Sequence, residues 1–343
     1  VRRLRASPSR SDSLTMPSTY AITGSNGFIA AHLIQDLCAQ GHTVLGIVRD
    51  AKAYSEQVGA LGAKVVEVSS LDDSAALVKA LAGVDGLFHM AAVHPKYGFE
   101  AGNREAILKT AVSGTLTVLE AAKAAGVRRV VLTSSLAAVE CGNDSGTLTE
   151  TMWSKPEVYD SKENLETQWA THYTYVKSKV EQEKAAVDFA QQNGLDLRVV
   201  VPGNLCIGPI ASANINGTMT RLKDIVSGTN TLKGAADLAI VHVGDVAAAH
   251  AKCMLDDSAH GRYLIATDMV TIEDVFATLS ELYPDHPVAA LKGQNIASGV
   301  KGAARKVDSA RTLAELGELK GYKVALKDAV DSLIEKGLVQ AAA

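Results

Sequence analysis

The chain has 343 residues, 47% of them hydrophobic, with a formal net charge of -4 and a pI near 6.2. That is apolar material enough for a substantial core, which excludes disorder as the default. Lysines and arginines are scattered rather than gathered into a stripe, so neither nucleic acid nor an acidic membrane surface is an implied partner, and a small molecule fits better.

The cysteines Cys38, Cys141, Cys206 and Cys253 form no CxxC pair, and the histidines show no HxH or HExxH spacing. This argues against a zinc site and a secreted disulfide framework, and it suits a reducing, cytoplasmic setting. No apolar run reaches the roughly twenty residues a bilayer span requires. Residues 1–15 are rich in Arg and Ser and precede Met16. They read as an added leader or an organelle-targeting remnant, so 1–18 are set outside the fold.

From Thr19 onward, β-branched runs alternate with helical stretches. Strands are expected at YAIT, TVLGIV, KVVEV, GLFHM, RRVVLTSS and DLRVVV, with helices over 28–40, 74–82, 106–125 and 175–192. The strands are apolar throughout rather than at alternate positions, which describes a parallel sheet covered on both faces. Six or seven strands are implied. The polar stretch 210–234 reads as a long substrate-facing loop, followed by one more strand, LAIVHV. The expected fold is α/β, a Rossmann-type doubly wound parallel sheet over 19–205 to which 236–256 return. Residues 206–235 and 257–343 would form a smaller substrate lobe.

The first strand runs into Thr23-Gly24-Ser25-Asn26-Gly27-Phe28-Ile29-Ala30 and then a helix. Glycines let backbone approach a pyrophosphate, and the unpaired N–H groups of a helix start favour anions. A bare GxxG occurs in ordinary strand-to-helix turns, but here the strand–turn–helix context that the motif needs is present. At the end of the second strand, where an NAD enzyme places an acid on the ribose, stands Val48, then Arg49, with Lys52 close behind. A guanidinium pairs with a 2′-phosphate that a carboxylate would repel, so NADPH is favoured. The alternative leaves Arg49 solvated and gives the acid's task to Asp50.

The strand RRVVLTSS ends in Ser134 and Ser135, at the edge where open α/β sheets bind ligands, and a hydroxyl there can hold a carbonyl oxygen. HYTYVKSKVEQEK then carries two YxxxK pairs, Tyr173 with Lys177 and Tyr175 with Lys179. Four-residue spacing on a helix puts each pair on one face, where the ammonium can lower the phenol pKa. Spacing alone leaves both pairs open.

The motifs TGSNGFIA, VRD, LFHMAA, VLTSS, ETMW, YVKSKVEQEKAAVDFAQQNGLDL, VVPGNLCIGP and VHVGDVAAAH together resemble the extended short-chain dehydrogenase/reductases, in particular the group of dihydroflavonol, cinnamoyl-CoA and aldehyde/ketone reductases. The resemblance implies Tyr-x-x-Ser-Lys followed by an acid four residues on, a pattern met by Tyr175, Ser178, Lys179 and Glu183. It thereby implies Ser135, Tyr175 and Lys179 as catalytic residues. It also implies cofactor contacts at Gly24, Asn26, Gly27, Phe28, Ile29, Arg49, Lys52, Leu71, Ala91, Ala92, Lys179 and Pro202, and no metal. Four departures stand out, one of them that PGNLCIGP is a residue longer than the usual segment. Ala111 replaces an Asn that relays protons in many members, Ser70 replaces the Asp that usually precedes Leu71, and Glu140 replaces an Asn that holds the flavonol.

The expected activity is NADPH-dependent reduction of an aldehyde or ketone, reversible with an alcohol. The rivals are a sugar-nucleotide epimerase or dehydratase with retained NAD and a non-catalytic NADP(H) sensor. His89 and His242 are read as satisfied structural histidines, Cys206 as an inert thiol, and Trp153, Tyr159 and Trp169 as packing between the serine strand and the catalytic helix.

Overall fold

A computed structural model describes residues 17–92, 104–144, 146–159, 169–212, 215–228, 237–266, 269–288 and 305–340. The leader 1–15 lies outside them.

Five strands follow in order with intervening helices: β1 (Thr19–Thr23), α1 (Phe28–Ala39), β2 (Thr43–Val48), α2 (Ala51–Gly59), β3 (Lys64–Glu67), α3 (Ser74–Ala80), β4 (Gly86–His89), α4 (Arg104–Ala124) and β5 (Arg129–Thr133). After the short β6 (Thr147–Leu148) come the long α5 (Trp169–Asn193), β7 (Asp196–Pro202), β8 (Leu205–Ile207), α6 (Gly217–Val226), β9 (Leu238–His242), α7 (Val243–Leu255) and β10 (Gly261–Ile265). The chain closes with β11 (Met269–Val270), α8 (Ile272–Leu282), β12 (Lys306–Val307), α9 (Ala310–Leu316) and α10 (Tyr322–Glu335).

The main sheet has seven strands in the order β10-β7-β5-β4-β1-β2-β3, paired in parallel throughout. This doubly wound order reverses direction between β1 and β4, which opens a crevice at their carboxyl ends. Both faces are covered. Ile22, Phe88, Val131 and Val200 pack to one side with α1 and α7, while Ala21, Leu87, Val130, Leu132, Val199 and Val201 pack to the other with α3 and α4. Two-sided burial is why these strands read as unbroken apolar runs.

Two elements depart from the sequence reading. The seventh strand of the sheet is Gly261–Ile265, assigned above to the C-terminal lobe, and not LAIVHV. LAIVHV instead forms β9 in a separate three-stranded sheet, parallel to β8 and antiparallel to β11. Gly203 permits the junction, because a Cβ there would lie 2.4 Å from the Ala239 carbonyl oxygen. The polar stretch 210–234 is also not all loop. Asn216 caps α6 by accepting from the Met219 N–H at 2.8 Å, and Met219, Leu222, Ile225 and Val226 are buried. That spacing is one helical face, and its interruption by Thr, Lys and Asp hid it.

Buried charge ties the sheet to α7. Arg129 of β5 and Arg198 of β7 both pair with Asp196, at 2.6 and 3.1 Å. They also donate to the Met254 and Cys253 carbonyls at the last turn of α7, where cations offset the helix dipole.

Candidate active site

Gly24 leaves β1 with φ +69, and a Cβ on it would lie 2.9 Å from the Cα of Ala91 after β4. The turn therefore demands glycine on two counts, conformation and contact. Gly27 is the N-cap of α1 and offers no side-chain acceptor, so the first N–H groups, around Phe28 and Ile29, are left for a ligand. The shape fits a dinucleotide pyrophosphate. Asn26 and Ile29 are half-buried beside it, and the Asn26 carbonyl accepts from Gln57 Nε2 at 3.4 Å.

Arg49 and Lys52 stand exposed after β2. Asp50 accepts from the Ala53 N–H at 3.0 Å as the N-cap of α2, so its carboxylate already has a structural task. Arg49 enters no ion pair or hydrogen bond among the described residues. Leu71 is half-buried, near Gly114 of α4, Ala91 is half-buried, Ala92 is exposed, and Pro202 is buried at the end of β7.

Ser135 stands just past the end of β5, and α5 sets Tyr175 and Lys179 against that strand end. The Tyr175 and Ser135 side chains share a hydrogen bond. Lys179 is 3% exposed, and its ammonium donates to the Thr133 carbonyl at 3.1 Å and to Gln182 Oε1 at 2.8 Å. The other pair is differently placed. Lys177 sits 5.8 Å over the Tyr173 ring and is 3.8 Å from Glu181 at the surface-facing side of the helix.

Burial lowers the Lys179 pKa to about 8, opposed by the nearby charge of Glu183. Burial holds Tyr175 above the ordinary phenol range, the Ser135 hydrogen bond working against it and the Glu140 charge with it. The expected depression by Lys179 is not what this arrangement gives: burial sets the direction of the Tyr175 shift.

A buried polar chain extends behind Lys179. Gln182 Nε2 donates to Thr115 Oγ1 at 2.8 Å, which lies 3.1 Å from His89 Nε2, and His89 Nδ1 is 2.8 Å from Thr23 Oγ1. Thr23 Oγ1 already accepts from the N–H groups of Met90 and Ala91, so its own proton goes to His89 Nδ1 and the imidazole carries hydrogen on Nε2. Burial, then the Lys179 charge, push His89 down to about 3, so it stays neutral, as a structural histidine should. His242 likewise caps α7, accepting from the Gly244 N–H at 2.9 Å. Burial pushes the Cys206 thiol up, which makes it unreactive.

Glu140 is buried, and its charge acts on Tyr175. Its Oε2 accepts from Arg305 at 3.2 Å and Asn204 at 3.3 Å, and Arg305 also pairs with Asp237 at 2.5 Å. Desolvation raises the Glu140 pKa, with Arg305 opposing. Trp153 packs near Tyr175 and the buried Val176 and Val180. The side chains of Tyr159 and Trp169 lie outside the described part. Arg305, Asp237, Thr115 and Arg262 carried no local motif, and Gln182 lies within one but drew no role from it, so all five escaped the sequence reading.

A parallel doubly wound sheet with a glycine turn at its first crossover and a Ser, Tyr and Lys cluster at its carboxyl edge defines a nucleotide-dependent enzyme of the short-chain dehydrogenase/reductase class. Residues 20–266 match the NAD dependent epimerase/dehydratase family, and the chain belongs to it. It is 33% identical to cinnamoyl-CoA reductase 1 of Petunia hybrida over 92% of each chain. Vestitone reductase from alfalfa superposes with a TM-score of 0.78 at 25% identity, covering 94% of this chain and all of that one. The yeast methylglyoxal/isovaleraldehyde reductase Gre2 complexed with NADPH has a TM-score of 0.77 at 23% identity, covering 93% and 99%, a likeness of fold. The expected superfamily and the reductase group within it are both met.

Proposed function

We propose that this chain is an NADPH-dependent reductase of aldehydes or ketones, running in reverse as an alcohol oxidation. The observation that carries this reading is the Tyr175–Ser135 hydrogen bond, with Lys179 held on the neighbouring Thr133 carbonyl, at the sheet edge that also holds the glycine turn and an Arg49 with no ion pair or hydrogen bond among the described residues. Gly24, Asn26, Gly27, Phe28 and Ile29 hold the pyrophosphate, Arg49 and Lys52 the 2′-phosphate, Leu71, Ala91 and Ala92 the adenosine side, and Pro202 with Lys179 the nicotinamide half. When bound, NADPH supplies the hydride.

Ser135 orients the substrate carbonyl, and Tyr175 donates the proton to its oxygen. A phenol held above its ordinary range stays protonated at neutral pH, which suits the reducing direction. Lys179 compensates the charge that develops on Tyr175 as the proton leaves. The Tyr175 and Lys179 pair is favoured over Tyr173 and Lys177 because only the former adjoins Ser135.

Substrate recognition falls to the small sheet β8–β9–β11 with α6, α8 and α10, and nucleotide binding to the main sheet, which keeps β10. Glu140 beside Tyr175 disfavours anionic groups next to the carbonyl. All four cysteines are free, which suits a reducing compartment, and on that ground we place the protein in the cytoplasm.

The rival epimerase chemistry shares the sheet and the Tyr–Lys pair. The purified chain separates the two. A freely exchanging cofactor oxidised in proportion to added carbonyl supports the reductase, and a tightly retained, non-exchanging nicotinamide contradicts it.

A further inference from the structure

We propose that Glu183 is a positioning residue for the Ser135, Tyr175 and Lys179 site, fixing Ser135 through Ser134 and the charge on Lys179 from the next turn of α5. The inference rests on the reductase reading, in which those three groups act on substrate.

Glu183 is 1% exposed. Its Oε2 accepts the Ser134 hydroxyl proton and the Arg262 Nη2 at 3.0 Å, and its Oε1 lies 2.6 Å from Arg262 Nε. Arg262, in β10, is fixed in turn. Its guanidinium stacks 4.1 Å from the Trp153 ring centre and donates to the Met152 and Glu150 carbonyls at 2.5 and 3.1 Å. With Nη1 on the two carbonyls and Nη2 on the carboxylate, the guanidinium ties Glu183 to the segment 150–153. The end of β5, the middle of α5, β10 and the segment 150–153 all converge on this one group.

Such a pair is a poor stabiliser taken alone, because desolvating two charges offsets most of their attraction, and an apolar pair would pack as well. The charge has a use nearby. Glu183 and Lys179 are four residues apart on one helical face. Among the charged groups around Lys179, Glu183 favours the ammonium, while His89, facing it from β4, is neutral. The other near groups, Thr133 and Gln182, carry no charge. Glu183 thus works with the ammonium and against the burial around it, and through Ser134 it bears on the residue adjoining the hydroxyl that Tyr175 meets.

The test is the pH dependence of kcat and KM for carbonyl reduction in the full chain, with Tyr175→Phe as control. Glu183→Gln keeps the shape and removes the charge. Its alkaline limb should move down by about one pH unit, the effect of one close charge in a buried site, so that kcat falls about two-fold at neutral pH and about tenfold on the alkaline side of the limb, with KM little changed. Ser134→Ala cuts only the hydroxyl link and should lower kcat a few-fold with the limb unmoved. If Glu183→Gln does not fold, Glu183→Met with Arg262→Met and Ser134→Ala removes the whole cluster without stranding a charge, and it should show the same displaced limb. An unmoved limb in whichever variant folds, even with a lower Tm, makes the cluster structural only and overturns the inference. A wild-type chain with no Tyr175-dependent turnover overturns the reductase reading instead.

Discussion

The Tyr175 hydroxyl hydrogen-bonds the Ser135 side chain across the gap between α5 and the end of β5, while the neighbouring Tyr173 turns toward Lys177. The two tyrosines occupy the same helix with overlapping motifs, and only one of them reaches the serine. Replacement should therefore be asymmetric. Tyr175→Phe is expected to lower kcat by about a thousand-fold, in the range for losing a positioned acid, with NADPH affinity retained. Tyr173→Phe should stay within a few-fold of wild type. Steady-state kinetics beside a binding titration checks both.

Lys179 must be charged to support the departing proton, and its pKa is about 8. Reduction should accordingly hold steady at neutral pH and decline as pH rises through that value. A kcat profile flat to well above it would contradict the assignment of Lys179.

Arg49 has no described partner, and its fork is suited to a phosphate. Arg49→Gln should raise KM for NADPH by about ten- to a hundred-fold, the worth of one or two charge-assisted hydrogen bonds, and leave KM for NADH nearly unchanged. Parallel titrations with the two cofactors read this directly.

His89 and His250 are buried and neutral, lowered by desolvation to about 3 and about 4. The unfolded chain binds protons at ordinary imidazole pKa values, so between the two limits it holds more protons than the fold. Stability should then be full above about 6.5 and fall with pH below it, by up to about 1.4 kcal/mol per pH unit for each histidine. Tm measured against pH checks the slope, which His250→Asn should reduce.

Gly24→Ala meets both a positive φ and a backbone contact at 2.9 Å. A loss of about 1–3 kcal/mol is expected, together with weakened cofactor binding, since the strain falls on the pyrophosphate turn. Denaturant unfolding with and without NADPH separates the two effects.

The parts legible in the sequence are those written locally. The glycine turn after β1, the basic tip of β2 and the serines ending β5 each occupy a few consecutive residues whose chemistry depends on an adjacent strand or helix end. The register of Tyr175 and Lys179 needed the family pattern, because helical spacing serves both YxxxK pairs equally. Long-range partners were not legible. Arg262 gains its role only by joining β10 to the edge of the main sheet, next to β7 and above α5, and nothing in GRYLI distinguishes that place from the small sheet that takes LAIVHV. Arg305 reaches both Glu140 and Asp237 from a distant point of the chain. The helix α6 was obscured for a different reason, since its apolar face is narrow and bracketed by Asn and Gly, although the Asn216 cap was there to be read.

The central claim is tested most directly by following NADPH, and separately NADH, on addition of a panel of aldehydes, ketones and diketones to the purified full chain. The account expects turnover with at least one carbonyl, strongly favouring NADPH and abolished in Tyr175→Phe. Measurable NADPH binding with no oxidation across the panel, or turnover that survives in Tyr175→Phe, would contradict it.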